Sequence, residues 1–582
     1  MTNRKKLLNE FYSFLDREGL DFFIINSTDE YLNEYIELEN NPRYLLTGFS
    51  GSTGDVIVSQ GQAFLFVDGR YHLQAEGEVD PDLITVIKVG LAKPPQKALY
   101  EKLAELSNIQ TNIGIVSSRT SCAGFKELLK TLEEKKNVKI VEYEQDPVFK
   151  MTGVQEKFGE KENLRYIPVE ISGKTPSEKL ECVRNFNREN EIDLLLITDL
   201  PDIAYLTNLR GMEIPYSSCF KAKALVYKDR AYIFTDMEKL PPEVKININD
   251  VFIFKNESEF EYFIDELAKT EQVSSVYYHP RSTTLAVFRK IEKLSDKIVE
   301  VKDSFISSLK AIKNDQELEH FRECFLKTDI VVNRTICWIE QSLDRGKKIS
   351  EKELSDKVKS LFREEGAVGL SFEVLTACGE NTAFIHYTHP SPEKIIKKED
   401  LILLDCGAFF EGGYATDQTR TFLAGGSGTQ ATELQKHVYT SVLKGFLTGI
   451  NYEITETTTG YDLDMAVRKV VDASKPEEFN FAHATGHGVG ITVHESPPKI
   501  GPSEHSKILL REGMVFTVEP GLYNETWGGV RIENTVTAVK KDGKIEIITL
   551  TRAPLDENLI NYDMLTDQEK SWLEKYNKSK IG

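Results

Sequence analysis

Cysteine is scarce in this sequence: seven in 582 residues, with no CxxC pair and no regular spacing. Scattered single thiols exclude a disulfide-framed secreted domain and point to a reducing compartment. No apolar run approaches the roughly 20 residues that a membrane-spanning helix needs. The first residues, MTNRKKLLNEFYSFLDREGL, are charged and amphipathic, without the continuous apolar core of a signal peptide. The final KYNKSKIG carries no peroxisomal or retention tag. These features predict a cytoplasmic protein. Basic residues are also in deficit, 72 against 92 acidic, for a formal charge of −20. That balance argues against nucleic acid or an anionic membrane as a partner and favours plain solubility.

What is present is a soluble globular composition, 40% hydrophobic and 28% charged, on a chain too long for one core. The chain opens with a helix-like LLNEFYSFLDREGL and an apolar strand, DFFIINSTD, followed by RYLLTGFSGSTGDVIVS and QAFLFVDGRYHLQAE. This alternation is α/β in character. A weaker copy follows in ENEIDLLLITDLPDIAYLTNLRG and KAKALVYKDRAYIFTD. In both, an Asp opens an apolar strand (Asp21, Asp193) that ends at a Thr-Asp pair (Asp29, Asp199). A Tyr-Leu pair and a Gly come next (Tyr44 and Gly48; Tyr205 and Gly211), then a strand ending in Asp68 or Asp236. The four shared features predict a duplicated domain. The polar KFGEKENLRYIPVEISGKTPSEKL marks the boundary between the copies. A second boundary lies at SLKAIKNDQELEHF, where Asn314 or Asp315 caps a helix with Leu318, Phe321 and Phe325 on one face. The expected domains are 1–165, 166–309 and 310–582.

Six of the ten histidines fall between His386 and His494, so the third domain should carry the chemistry. In LILLDCGAFFEGGYATDQTRTF a hairpin would set Asp405 beside Asp417, two acids that repel unless one protonates or a cation intervenes. The bland alternative is a surface Asp417 paired with Arg420. In GMVFTVEPGLY an apolar strand ends at Glu519. In WGGVRIENTVTAV period two puts Arg531, Glu533 and Thr535 on one face. HATGHGVGITVHE adds His483, His487 and His494. Its Gly486, Gly488 and Gly490 resemble a phosphate loop. Such a loop should open a helix, whereas GVGITVHE reads as a continuing β-branched strand. The glycines are better read as giving backbone clearance around a metal-binding imidazole. Asp, Asp, His, Glu and Glu form a hard, oxygen-rich donor set suited to a pair of divalent ions.

Asp405, Asp417, His487, Glu519 and Glu533 stand in the order of the pita-bread metallopeptidases, and DQTRTF, HATGHGVG, VEPGLY and GVRIEN resemble that superfamily's motifs. The resemblance narrows to aminopeptidase P (Xaa-Pro aminopeptidase) in its long three-domain form. STDEYLNEYI, LTGFSGSTG and DGRYHLQAE are similar to its first domain and NLRGMEIPYSSCF to its second. TLTRAPLDENLINYDMLTDQEKSWLEKYN is similar to its C-terminal extension, here about 545–582. The fold this implies is α/β (α+β), two creatinase-like N-terminal α/β domains followed by a pita-bread catalytic domain. One departure stands out: Asp405 and Asp417 are 12 apart, one residue wider than usual, with the extra residue in the FFEGGY turn or as a bulge.

The resemblance implies two divalent metal ions, Mn²⁺ first with Co²⁺, Fe²⁺ or Zn²⁺ as alternatives. Asp405 would bind one, Asp417 and Glu533 would bridge both, and His487 and Glu519 would bind the other, with Glu519 also handling the proton of the attacking water. His386 and His494 would contact the scissile peptide. His483 would be a further active-site histidine serving as proton relay. Arg531 would bind Glu533 or a carbonyl near the site. His389 is read as a loop residue. The implied reaction is hydrolysis of the N-terminal Xaa-Pro bond by a metal-bridging hydroxide, in a homodimer acting on peptides with proline second. The alternatives are a prolidase restricted to dipeptides and a metal-free binding protein of the same fold.

Overall fold

In the computed structural model, residues 2–91, 93–107, 110–135, 137–154, 162–242, 244, 248, 250–425, 428–541 and 543–579 are described. Residues 157–161 of the first boundary segment and the last three of KYNKSKIG lie outside them. The described chain forms two compact units. One runs to Ile306; the other holds Ser307 onward with two short segments, Pro168–Gly173 and Tyr216–Ser218.

The first unit contains two six-stranded sheets. The first is built from β1 (Phe22–Ile25), β2 (Asp55–Ser59), β3 (Gln62–Val67), β4 (Thr85–Lys88), β5 (Thr111–Val116) and β6 (Val138–Tyr143), in the order β4-β3-β2-β1-β5-β6. The second uses β7 (Leu194–Ile197), β8 (Lys223–Tyr227), β9 (Arg230–Thr235), β10 (Ile253–Asn256), β11 (Val276–Tyr278) and β12 (Ile298–Glu300), in the order β10-β9-β8-β7-β11-β12. The order is the same in both, and so are the strand senses. The strand opened by Asp21 or Asp193 pairs antiparallel with the second strand and parallel with the fifth. Phe23 and Ile25 of β1 pack on one side, with Leu8, Phe11 and Leu15 of the N-terminal helix, while Phe22 and Ile24 pack on the other. Burial on both faces explains why the strand reads as an unbroken apolar run.

Near the start of the main segment of the second unit, Asn314 caps the 30-residue helix Asp315–Asp344. Its side chain accepts from Glu317 N–H at 3.0 Å, and Glu317 returns a bond to the Asn314 N–H. Leu318, Phe321 and Phe325 are buried on the predicted face. Two hairpins follow. β13 (Leu401–Cys406) and β14 (Gln418–Leu423) are antiparallel. β16 (Val515–Val518) and β19 (Asn534–Lys541) form the second, which β17 (Gly521–Asn524) and β18 (Gly528–Arg531) close. β15 (Gly486–Gly488) lies beside β16. Helices Glu433–Ile450 and Gly460–Ser474 cover the second hairpin with one apolar cluster that includes Phe446, Val467, Phe516 and Val536.

Two readings of local structure change. WGGVRIENTVTAV is not one strand: it divides into β18 and β19, with Ile532 and Glu533 between. GVGITVHE does not continue as a strand. Residues 490–494 form a chain of bends, and pairing resumes only at Glu495. Closely spaced contacts explain this. Val489 N–H still donates to Val515 O, in register with Gly488↔Phe516, but Gly490 N–H turns back to Thr492 O, so the ladder ends there.

Candidate metal centre

The first hairpin keeps one register from Leu401↔Leu423 to Cys406↔Gln418, and the Phe409↔Ala415 bridge continues it. No bulge intervenes. The residue that widens the Asp405–Asp417 spacing therefore lies in the turn, where Gly413 N–H donates to Phe410 O at 2.8 Å. Asp405 faces Thr419, and Asp417 lies two positions before Thr419, so the two acids share a face.

The second hairpin supplies the glutamates. Val518 pairs with Asn534 and Gly521 with Arg531. The register that joins these pairs sets Glu519 opposite Glu533, in the gap between them. Pro520 has no N–H, which breaks the ladder there. The freed backbone groups reach other elements: Glu519 N–H donates to Thr485 O at 2.8 Å and Glu533 N–H to Thr419 O at 3.1 Å. Those bonds tie the histidine strand and both hairpins together.

His487 faces a carbonyl, with Nδ1 at 3.1 Å from Gly488 O, so Nδ1 carries the proton. Its Nε2 points at the acids, 3.4 Å from Asp417 Oδ2 and 3.5 Å from Glu519 Oε1. One ligand atom each from Asp417, His487 and Glu533 lies within 4.8 Å of the others. Asp405 Oδ2 accepts from Arg531 Nη2 at 2.6 Å, while its Oδ1 is buried with no hydrogen-bond partner in the structure. A buried orphaned carboxylate oxygen is expensive without a cation. The donor set and that orphan fit divalent metal.

Arg531 does not take Glu533. Besides Asp405, it donates to Tyr523 OH at 2.7 Å, Thr419 Oγ1 at 3.1 Å and Ile385 O at 3.3 Å. Glu533 instead accepts from Thr419 Oγ1 at 2.7 Å, because that hydroxyl stands between it and the guanidinium. Arg420 does not pair with Asp417 either. On the other face of β14, it donates to the carbonyls of Glu533 and Ala553 and to Tyr576 OH.

His483 places Nε2 2.9 Å from Tyr523 OH and Nδ1 2.8 Å from Ala484 O. The carbonyl demands N–H at Nδ1, so Tyr523 donates to Nε2 and accepts from Arg531. His494 packs edge-on against the His487 ring, centroids 4.5 Å apart. His386 joins through the backbone, as the residue after the Ile385 carbonyl that Arg531 holds. His389 is exposed, as expected of a loop residue. Sequence reasoning missed Tyr523. The signal was there, since period two from Glu519 through Gly521 reaches Tyr523 on the same side of its strand. The glycine role is also different: a Cβ at Gly486, Gly488 or Gly490 would collide with Thr517 O, Glu495 O or the Glu495 carboxylate. The clearance serves neighbouring strands and Glu495, not the imidazole.

Burial pushes Glu519 up to about 7, with Asp405 adding to the rise. Burial, then the neighbouring carboxylates, carries Asp417 and Glu533 well above the usual range. Asp405 is raised by burial in spite of Arg531. Such groups bind more protons folded than unfolded between their ordinary values and their raised ones. Stability of the metal-free protein from these groups therefore falls as pH rises through that window, for Glu519 from about 4.5 to about 7. Metal displaces those protons. The gap in Tm between metal-loaded and chelator-stripped protein is thus expected to widen from pH 5 to pH 7.5. A constant gap in paired thermal melts would count against these carboxylates as the ligands.

Comparison with known proteins agrees with this geometry. The model of metallopeptidase family M24 matches residues 319–540, and that of its C-terminal region matches 545–579. Two creatinase/prolidase N-terminal domain models match 8–145 and 155–317. A protein of Laccaria bicolor named "Probable Xaa-Pro aminopeptidase P" is 32% identical, over 99% of this chain and 89% of its own. One of the same name from Ajellomyces capsulatus is 32% identical over 97% and 93%. The chain belongs to the Xaa-Pro aminopeptidase P family. Its fold is the expected one: two creatinase-like N-terminal domains and a pita-bread catalytic domain. The solved X-prolyl aminopeptidase of Caenorhabditis elegans, described as a cytosolic enzyme with a di-nuclear active site, superposes with TM-score 0.87. It is 27% identical and covers 96% of this chain and 90% of its own. A Xaa-Pro dipeptidase from Bacillus anthracis, 27% identical with TM-score 0.55, aligns with 66% of this chain and 99% of its own. Family membership makes the chain a metallopeptidase-type hydrolase, and the match along its whole length favours aminopeptidase over prolidase.

Proposed function

We propose that this protein is a dinuclear-metal aminopeptidase that hydrolyses the N-terminal Xaa-Pro bond and releases the first residue. The observation that carries the reading is the buried acid cluster, with Asp405 Oδ1 orphaned beside Asp417, His487, Glu519 and Glu533. In this reading Asp405, Asp417, His487, Glu519 and Glu533 would hold the two ions. The ions, Mn²⁺ before Co²⁺, Fe²⁺ or Zn²⁺, would lower the pKa of a bound water so that it can attack near neutral pH.

The chain's own groups do the rest. Glu519 takes the proton of the attacking water. His494 and His386 hold the carbonyl oxygen as its charge develops. His483 is the further active-site histidine and proton relay of this reading, linked through Tyr523 OH to Arg531. An Xaa-Pro bond is a tertiary amide without N–H, so gripping the carbonyl suits it where a backbone N–H contact would fail. The free amine of the first residue meets the acidic cluster, which limits removal to one residue. We include in the reading domain limits of 1–165, 166–309 and 310–582, a cytosolic location and a homodimer.

The test is a metal-reconstituted assay that compares an Xaa-Pro-Xaa peptide with an Xaa-Pro dipeptide, each metal in turn. Release of the first residue from the longer peptide is expected. Cleavage of the dipeptide alone would make the enzyme a prolidase, and a purified chain that never holds metal would remove the hydrolase reading.

A further inference from the structure

Glu495 directly follows His494, yet its carboxylate turns away from the acid cluster into a buried charge group. Oε1 accepts from Lys313 Nζ at 2.6 Å, and Lys310 Nζ stands 3.6 Å from Oε2. The side chains of Glu495 and Lys313 are 1% and 2% exposed. Lys313 is anchored too: its N–H donates to Gly513 O at 2.9 Å, and the next residue caps the long helix.

The carboxylate closes the bent segment 490–494. Oε2 accepts from Ile491 N–H at 3.1 Å. A Cβ at Gly490 would sit 2.1 Å from both carboxylate oxygens, so the glycine backbone lies directly on the acid. Gly488 pairs with Glu495, with a register shift between His487 and Gly488. The loop that ends in His494 is therefore pinned at its base by a ladder pair and in its middle by an ion pair.

Burying these charges is costly before pairing, and an apolar core would hold the fold as well. What the ion cluster adds is a fixed place for one carboxylate, and through it for the backbone at Ile491. We infer that the buried Lys313–Glu495 pair, assisted by Lys310, is a positioning device that holds the 490–494 loop so that His494 stays against His487. The effect on catalysis rests on the aminopeptidase reading above; the positioning itself does not.

Two variants of the full-length, metal-loaded protein test this. Glu495→Gln keeps the shape and removes the ion pair. Lys313→Met/Glu495→Leu replaces the pair by apolar groups, an exchange that buried ion pairs commonly tolerate. Backbone hydrogen exchange over 490–494 should quicken at least about tenfold in both. Metal content should stay at the wild-type level, and kcat on an Xaa-Pro-Xaa peptide should fall at least about tenfold, with KM changed less than about threefold. Adding Glu495→Gln to His494→Ala should cost little beyond His494→Ala alone, because both act through one histidine. Unchanged exchange overturns the proposal, as does unchanged kcat in the apolar double variant or losses that multiply in full. Faster exchange in a protein whose wild type cleaves no Xaa-Pro peptide removes the aminopeptidase reading and leaves the positioning role standing.

Discussion

Asp417→Asn is expected to remove Xaa-Pro hydrolysis by on the order of 10³-fold or more while leaving the metal-free fold at least as stable as before. The two effects have one cause. Asp417 is buried, and its charge is opposed first by that burial and then by Glu533, Asp405 and Glu519. Asparagine keeps the shape and discards a charge the metal-free protein holds at a cost. In the proposed reading the same charge is what the cations would need, and a neutral amide would hold them far less well than a carboxylate. Elemental analysis should show metal content falling with activity, while the melting temperature of chelator-stripped variant matches or exceeds that of stripped wild type. Full metal content with activity within tenfold of wild type would sink the assignment.

Arg531→Met is expected to have the opposite signature. Arg531 is fully buried and binds Asp405 Oδ2 and Tyr523 OH. Burial opposes its charge, but Tyr523, Asp405 and Glu519 outweigh that and hold it above the ordinary arginine value. Removing one member of such a buried pair typically costs about 3–5 kcal/mol. The loss should be greatest in metal-free protein, where Asp405 is left without its guanidinium, and smaller once metal is bound. Arg531→Lys should not rescue it, because an ammonium is a point charge and cannot serve acceptors at the separate edges of a guanidinium. Urea unfolding with and without metal measures both losses, and equal losses in the two states would count against the pairing.

Much of this was legible in order and type. A helix start at Asn314 or Asp315 was visible, and the Glu three residues past Asn314 completes a local capping signal there. Apolar β1 and β7, each opened by an Asp, marked two copies that fold into sheets of the same order. Asp405, Asp417 and Glu519 stood at strand ends, where an abrupt change from apolar to acidic is readable. Other features were hidden. Nothing local shows that 490–494 leaves the sheet, because Ile491, Thr492 and Val493 have strand propensity and the bend is held by the Glu495 carboxylate on Ile491 N–H.

By itself, the sequence determined which donors the site contains, their order and the face each takes on its strand, since period two is a property of the chain alone. Only the tertiary structure decided which of them meet. Glu519 stands opposite Glu533 because one register joins Val518↔Asn534 to Gly521↔Arg531, and Arg531 takes Asp405 because Thr419 stands between it and Glu533. Partner choice among buried charges depends on which strands lie side by side, and contacts between residues a hundred or more positions apart, such as Arg531 with Asp405, are set by packing rather than by any local pattern.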